Sequence, residues 1–184
     1  MRAMEAQMIT LKDGSIATIS FLGPKDSADE LLGFVNRLVS EKAKITHDRK
    51  LTLMQEIAWK KNQLGNQKMK TGYLLIAKVG GAIAGTSGAQ RDRGKADGNI
   101  CLGLAISRRF RRLGLGEALL KTNIALAKKF FKPKPRNIYL SVLANNKPAL
   151  SLYKKLGFKE FAVFPKWILH DGKRVDHIMM KLEK

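Results

Sequence analysis

One cysteine in 184 residues, Cys101, excludes an internal disulfide framework. Histidine is nearly as scarce. His47, His170 and His177, with that single thiol, offer no zinc-like spacing, so no metal site is expected. No apolar run reaches the length of a membrane span, and no membrane association is expected. The N-terminal stretch has no long apolar core after its basic residue, so it does not read as a secretory signal. These absences favour a cytoplasmic location. Acidic residues are few, 15 against 35 Lys plus Arg, which leaves a formal charge of +20. A field of that size attracts polyanions. No RNA- or DNA-reading motif accompanies the charge, so a lysine-coated, solubilising surface is the other reading. At 45% apolar and 27% charged residues the chain is globular, and its length suits a single domain over residues 1–184.

The pattern along the chain alternates between strand and helix. Residues 15–22 read as a strand, and Leu31, Phe34, Val35 and Leu38 recur at helical spacing after Pro24 and Asp26. Residues 40–50 are polar and loop-like. Thr52 with Gln55 has the form of a capping box, which starts a second helix near Leu53 that reaches about Leu64. Residues 65–72 read as a polar linker. Residues 73–79, 82–90 and 99–106 then form an antiparallel meander, with Gly80-Gly81 as its first turn. A long helix over about 115–130 ends before Pro133 and Pro135. A buried strand follows at 138–143, then a helix over about 147–156 with Asn146 at its cap and Gly157 at its stop. Residues 160–170 and 174–182 form a closing hairpin around Asp171-Gly172.

Two stretches carry chemistry. In residues 107–120, SRRFRRLGLGEALL, four arginines (Arg108, Arg109, Arg111 and Arg112) precede Gly114 and Gly116 at a strand-to-helix turn. N–H groups at a helix start have no intrahelical acceptor, and the helix dipole adds positive potential there. Glycine admits a close backbone approach, and arginine supplies charge-assisted bonds to phosphate. The turn is not a Walker A loop, because no Gly-Lys-Ser/Thr follows, and a plain basic helix start is the simpler alternative. The second stretch, residues 146–158, has the form N-x-x-A-x-x-L-Y-x-x-x-G-F.

R-x-x-G-x-G at residues 111–116 followed by that block resembles the GNAT superfamily of acyl-CoA-dependent N-acyltransferases. The resemblance implies an α/β (α+β) fold, with a mixed, centrally splayed sheet of about seven strands and about four flanking helices. It implies acetyl-CoA as acyl donor and direct transfer to a primary amine in a ternary complex. The pantetheine arm would pair with backbone groups of Leu104, Ala105 and Ile106. The diphosphate would rest on the N–H groups of Arg111, Arg112, Leu113, Gly114, Leu115 and Gly116, with Arg108 and Arg109 near the adenosine phosphate. Asn146 matches the family asparagine beside the pantetheine. Tyr153 matches the tyrosine that protonates the CoA sulfur, a role that suits a phenol of pKa near ~10.

The acceptor's base is less defined. Some members that modify protein N-termini carry a glutamate where this chain has Ser141. Glu56, Asp176, His177 or a relayed water remain candidates. Glu56 and Trp59 lie on an early helix that flanks the acceptor site in this family, though a packing tryptophan and a solvated acid are the plainer readings. Cys101 reads as inert core within an apolar strand. The amine acceptor is a small molecule or a protein amine, and a homodimer is open. A non-catalytic module that binds acyl-CoA or nucleic acid is the alternative function.

Overall fold

A computed structural model describes residues 5–45 and 47–183. The chain begins with β1 (Gln7–Thr10) and β2 (Ile16–Phe21), a hairpin in which Asp13 Oδ1 accepts from the Ser15 amide (3.1 Å) and hydroxyl (2.6 Å). Because β1 is short and mostly exposed, it shows no apolar alternation to read, and it adds an eighth strand to the expected sheet. Helix α1 (Ala28–Ser40) starts at Ser27, whose Oγ accepts from the Asp29 and Glu30 amides, and it buries Leu31, Phe34 and Leu38.

Helix α2 (Leu53–Lys68) begins with the expected capping box: the Gln55 amide donates to Thr52 Oγ1 (3.3 Å) and the Thr52 amide to Gln55 Oε1 (2.9 Å). It runs past Leu64 into residues that read as linker. Gly65 costs this helix about 1 kcal/mol against alanine, and tertiary bonds offset that cost. Asn66 Nδ2 donates to Gln90 Oε1 (3.3 Å), and the Thr71 amide donates to the Asn66 carbonyl (2.9 Å).

The remaining elements are β3 (Gly72–Val79), β4 (Ala82–Arg91), β5 (Asn99–Ile106), α3 (Leu115–Phe130), β6 (Asn137–Leu143), α4 (Lys147–Lys155), β7 (Phe158–His170) and β8 (Lys173–Leu182). Sheet order is β1-β2-β3-β4-β5-β6-β8-β7. All pairs are antiparallel except β5 with β6. That parallel pair registers only Asn99 with Asn137, Ile100 with Ile138 and Cys101 with Tyr139. Beyond Cys101, β5 stays with β4 as far as Ile106, while β6 stays with β8 as far as Leu143. The sheet therefore splits at its centre.

Strand alternation sends Ile100, Leu102, Ile138, Leu140, Val142, Ile178 and Met180 to one face, where Leu115, Leu119, Leu120 and Ala127 of α3 complete the main core. The opposite face receives α1 and α2, with Leu22, Leu31, Phe34, Leu38, Leu74, Ile76 and Ile83 buried between them and the sheet. A polar network threads the main core. Tyr73 Oη donates to Asn123 Oδ1 (2.7 Å), and Asn123 Nδ2 donates to Ser87 Oγ (2.7 Å) and the Gly88 carbonyl (2.8 Å). Burial pushes the Tyr73 phenol pKa up, so it stays a donor. Truncation in Asn123→Ala strands buried partners and is expected to cost about 1–3 kcal/mol. Calorimetry would show a melting temperature lowered by about 2–4 °C per kcal/mol.

Candidate active site

The split between β5 and β6 leaves two strand edges facing each other without a partner. Leu104 and Ile106, half-buried, pack against the α3 core, whereas Ala105 faces α1 and α2. One carbonyl of this edge is taken: Arg111 Nε donates to Ile106 O (3.0 Å). Arg111 also reaches Glu41 at the end of α1 (3.1 Å), and its amide donates to Arg108 O (3.3 Å). Of the expected phosphate-loop residues, Arg111 thus acts as a brace and has no open amide.

The next residues are different. Among the described residues, no backbone acceptor meets the amides of Arg112, Leu113, Gly114, Leu115, Gly116 or Glu117. Arg112 (φ 65°) and Gly114 (φ 90°) are both left-handed, which turns successive amides outward at the start of α3. The Leu113 carbonyl is held by the Lys12 amide (3.1 Å), which ties the loop to the N-terminal hairpin. Leu115 is fully buried and anchors the helix. A Cβ on Gly114 would meet open space, whereas one on Gly116 would make ordinary contact with Ile106, Leu152 and Leu104. This concavity of N–H donors suits an anion. Arg108 and Arg109 are exposed beside it, with Arg109 over the Phe110 ring.

Across the split stand two side chains of the second motif. Asn146 occupies the start of α4, but its side-chain amide caps nothing and bonds to no described residue. Tyr153 is 6% exposed and packs 6.1 Å from Phe158. Burial raises its phenol pKa to about 12, and its hydroxyl has no hydrogen-bond partner among the described residues. The proton is thus firmly held on an oxygen that the protein leaves unengaged.

The face under α1 and α2 is the second half of the site. Gly103 is exposed there, and a Cβ on it would meet nothing within 4 Å. This open floor carries no local sequence signal beyond a glycine in a strand. Its rim is stitched from three elements. Lys42 pairs with Asp171 (2.5 Å), His170 Nε2 lies 3.2 Å from the Lys42 carbonyl, and Lys44 Nζ donates to the Asn145 carbonyl (2.5 Å). Asp171 (φ 52°) and Gly172 (φ 74°) form the hairpin turn.

The candidate bases separate in this setting. Asp176 is engaged: its Oδ1 accepts from the Lys166 amide (2.8 Å) and holds the irregularity in β7. His177 registers with Leu143 and with Phe164, and its buried Nε2 has no partner. Burial lowers its pKa, which favours neutral imidazole. Glu56 is 3% exposed on the sheet-facing side of α2, one turn before Trp59, and meets no donor or cation among the described residues. Burial raises its pKa. Cys101 is half-buried and its thiol pKa is pushed up by burial, so the thiolate needed for nucleophilic chemistry is disfavoured.

A substitution separates open floor from packed core. Gly103→Val adds a side chain to unoccupied space at a position without positive φ. It should leave the melting temperature within about 2 °C while abolishing whatever reaction the groove supports.

Comparison with known proteins agrees with this geometry. Residues 30–158 match the model of the acetyltransferase (GNAT) family. An N-alpha-acetyltransferase of Sulfurisphaera tokodaii is 43% identical over 60 residues, a segment of 33% of this chain and 35% of that protein. The match thus spans about a third of the curated relative's length. A GNAT-family acetyltransferase from Streptococcus pneumoniae superimposes with a TM-score of 0.78 at 28% identity, over 90% of this chain and 98% of that one. A Salmonella typhimurium protein solved with its cofactor acetyl-CoA gives a TM-score of 0.77 at 21% identity, over 91% and 93% of the two chains. With more than half its length under the family model, the chain belongs to the GNAT family of acetyltransferases.

Proposed function

We propose that the protein transfers an acetyl group from acetyl-CoA to the α-amine of a polypeptide. The observation that carries this reading is the run of unpartnered amides from Arg112 to Glu117 beside the split between β5 and β6. An anionic diphosphate fits the amides, and an extended amide-bearing arm fits the free strand edges. The Salmonella structure, which shares this fold, was solved with its cofactor acetyl-CoA. The name of the Sulfurisphaera tokodaii relative supports an α-amine acceptor. So does acidity: an α-amine has pKa about 7.7–8.0 against about 10.4 for lysine, so it loses its proton more readily near neutral pH.

In the reaction, the neutral amine nitrogen attacks the thioester carbonyl and the C–S bond breaks, leaving an amide and a CoA thiolate. A free N–H of β5 stabilises the developing oxyanion. Tyr153 gives its proton to the leaving sulfur, and Asn146 holds the donor's arm.

Glu56 removes the acceptor's proton. The amine arrives mostly as an ammonium, and in a chain of charge +20 it needs a local anion. A carboxylate supplies both charge and basicity, whereas neutral His177 supplies only basicity. Glu56 comes from α2, whereas some relatives carry glutamate at the position of Ser141 on β6.

Three measurements test these assignments. Tyr153→Phe should lower kcat by about 10²–10⁴ with acetyl-CoA affinity retained in calorimetry. Gly114→Glu places a strained carboxylate in the anion cradle and should weaken acetyl-CoA by more than tenfold. Glu56→Gln should lower kcat by about 10²-fold and remove the acidic limb of the pH–rate profile. The last variant also has a stability signature. The native state holds the Glu56 proton to higher pH than the unfolded chain, so wild-type stability falls as pH rises above the ordinary value of 4.5. Glu56→Gln should therefore gain melting temperature relative to wild type at pH 7 but not at pH 4. Donor binding without turnover of any peptide amine would sink the α-amine assignment.

A further inference from the structure

At the end of the sheet away from the anion cradle, three segments bring exposed cations together. The end of α3 carries Lys128 and Lys129, the following loop carries Lys132, Lys134 and Arg136, and the β4–β5 turn carries Arg93 and Lys95. None of these seven has an ion pair among the described residues. Two acids lie among them. Asp97 is held by Arg91 (2.6 Å), with Arg136 nearby, and Asp92 accepts from the Tyr139 hydroxyl (3.0 Å). Elsewhere Glu30, Glu41, Glu117, Glu160, Asp171 and Glu183 each neutralise a cation, and cations unpaired among the described residues, such as Lys25, Lys50 and Lys61, are spread along the chain rather than gathered.

This pole is built rather than incidental. Arg91 Nη1 donates to the carbonyls of Lys132 (3.1 Å) and Pro133 (3.3 Å), and the Arg136 amide donates to Gly98 O (2.8 Å). Pro133 and Pro135 fix φ between the three loop cations, so presenting them costs little further entropy. Lys128 and Lys129 also suit the C-terminal dipole of α3, but the other five lie on no α-helix.

Nor do these charges serve the donor site. Both β5 and α3 separate the two poles, and each spans about 23–26 Å. That is more than two Debye lengths at physiological salt. Most of the large exposed apolar side chains lie elsewhere, at the start of α2 (Met54, Ile57) and along β7 (Val163, Trp167, Leu169), whereas Phe161 stands beside Asp92, Asn99 and Asn137 at the edge of the pole. A single ring at its edge is no platform for a run of unstacked bases and no wedge for lipid. Dense, pre-positioned cations without either fit a phosphodiester backbone.

We infer that this pole docks the protein on the phosphate backbone of duplex nucleic acid, independently of base sequence and of the acetylation site. The test is anisotropy of labelled RNA and DNA duplexes of equal length, titrated over a range of salt. The combined variant Lys132→Glu, Lys134→Glu, Arg136→Glu should weaken binding at least tenfold and flatten the log–log salt slope by about 0.9 for each phosphate no longer neutralised. Its circular dichroism and acetyl-CoA affinity should match wild type, which separates this result from misfolding and from failure of the donor site. Lys25→Glu, Lys50→Glu, Lys61→Glu makes the same change in net charge at exposed residues elsewhere and should stay within threefold of wild type. Preference for RNA or DNA at equal salt identifies the source. Equal losses in the two triple variants would show only the general field and overturn the proposal. So would unchanged binding in the first variant, or binding to anionic vesicles with none to either duplex.

Discussion

Three residue pairs hold β5 to β6, and the chemistry of the molecule depends on where that pairing ends. Below Cys101 and Tyr139 the two halves of the sheet share a hydrogen-bonded ladder. Above them each strand keeps only its outer neighbour, β4 or β8. A ladder that continued would satisfy every backbone group and leave no edge for an extended substrate. On the β6 side Val142 and Ile178 join the same core against which Leu104 and Ile106 pack. Insertion of β8 beside β6 completes that second half.

Electrostatics then divide the surface into poles. At one, a left-handed Arg112 and Gly114 turn amides toward solvent, and Arg111 is spent on Ile106 and Glu41. The cradle thus rests on backbone geometry more than on the side chains that draw the eye in RRFRR. At the other pole, seven cations from three segments outnumber the two acids among them and make no ion pair among the described residues. A formal charge of +20 describes the sum but not this arrangement.

The groups left without partners are also informative. A buried carboxylate or imidazole nitrogen with no hydrogen bond is costly. His177 Nε2 carries that cost, while Glu56 and Tyr153 are buried residues whose side-chain oxygens make no hydrogen bond among the described residues. His177, opposite Leu143, and Tyr153, on α4, belong to the β6 side of the central split. Among the other described residues the buried polar side-chain atoms have partners, as the Tyr73–Asn123–Ser87 network shows. The contrast supports the proposed site at the split.

Local chemistry was legible in the chain. The capping box at Thr52, the turn at Asp171-Gly172, the glycine-bearing helix start at Gly114 and the N-x-x-A-x-x-L-Y block depend on neighbours within a few residues, so spacing alone states them. The strand-helix order and the family resemblance followed from such signals. β1 and the tail of α2 were not legible, because a short exposed strand and a glycine-bearing polar helix are held by distant partners such as Ile19 and Gln90. Glu56 looked like a solvated acid, and only the sheet lying over α2 makes it a desolvated one. Asp176 looked as available as His177 until the Lys166 amide claimed it. The sequence by itself determined the elements, the donor-type motifs and the excess of positive charge. Tertiary structure alone decided which carboxylate is buried, which amides stay free and which lysines share a face, because burial and proximity are properties of whatever packs opposite.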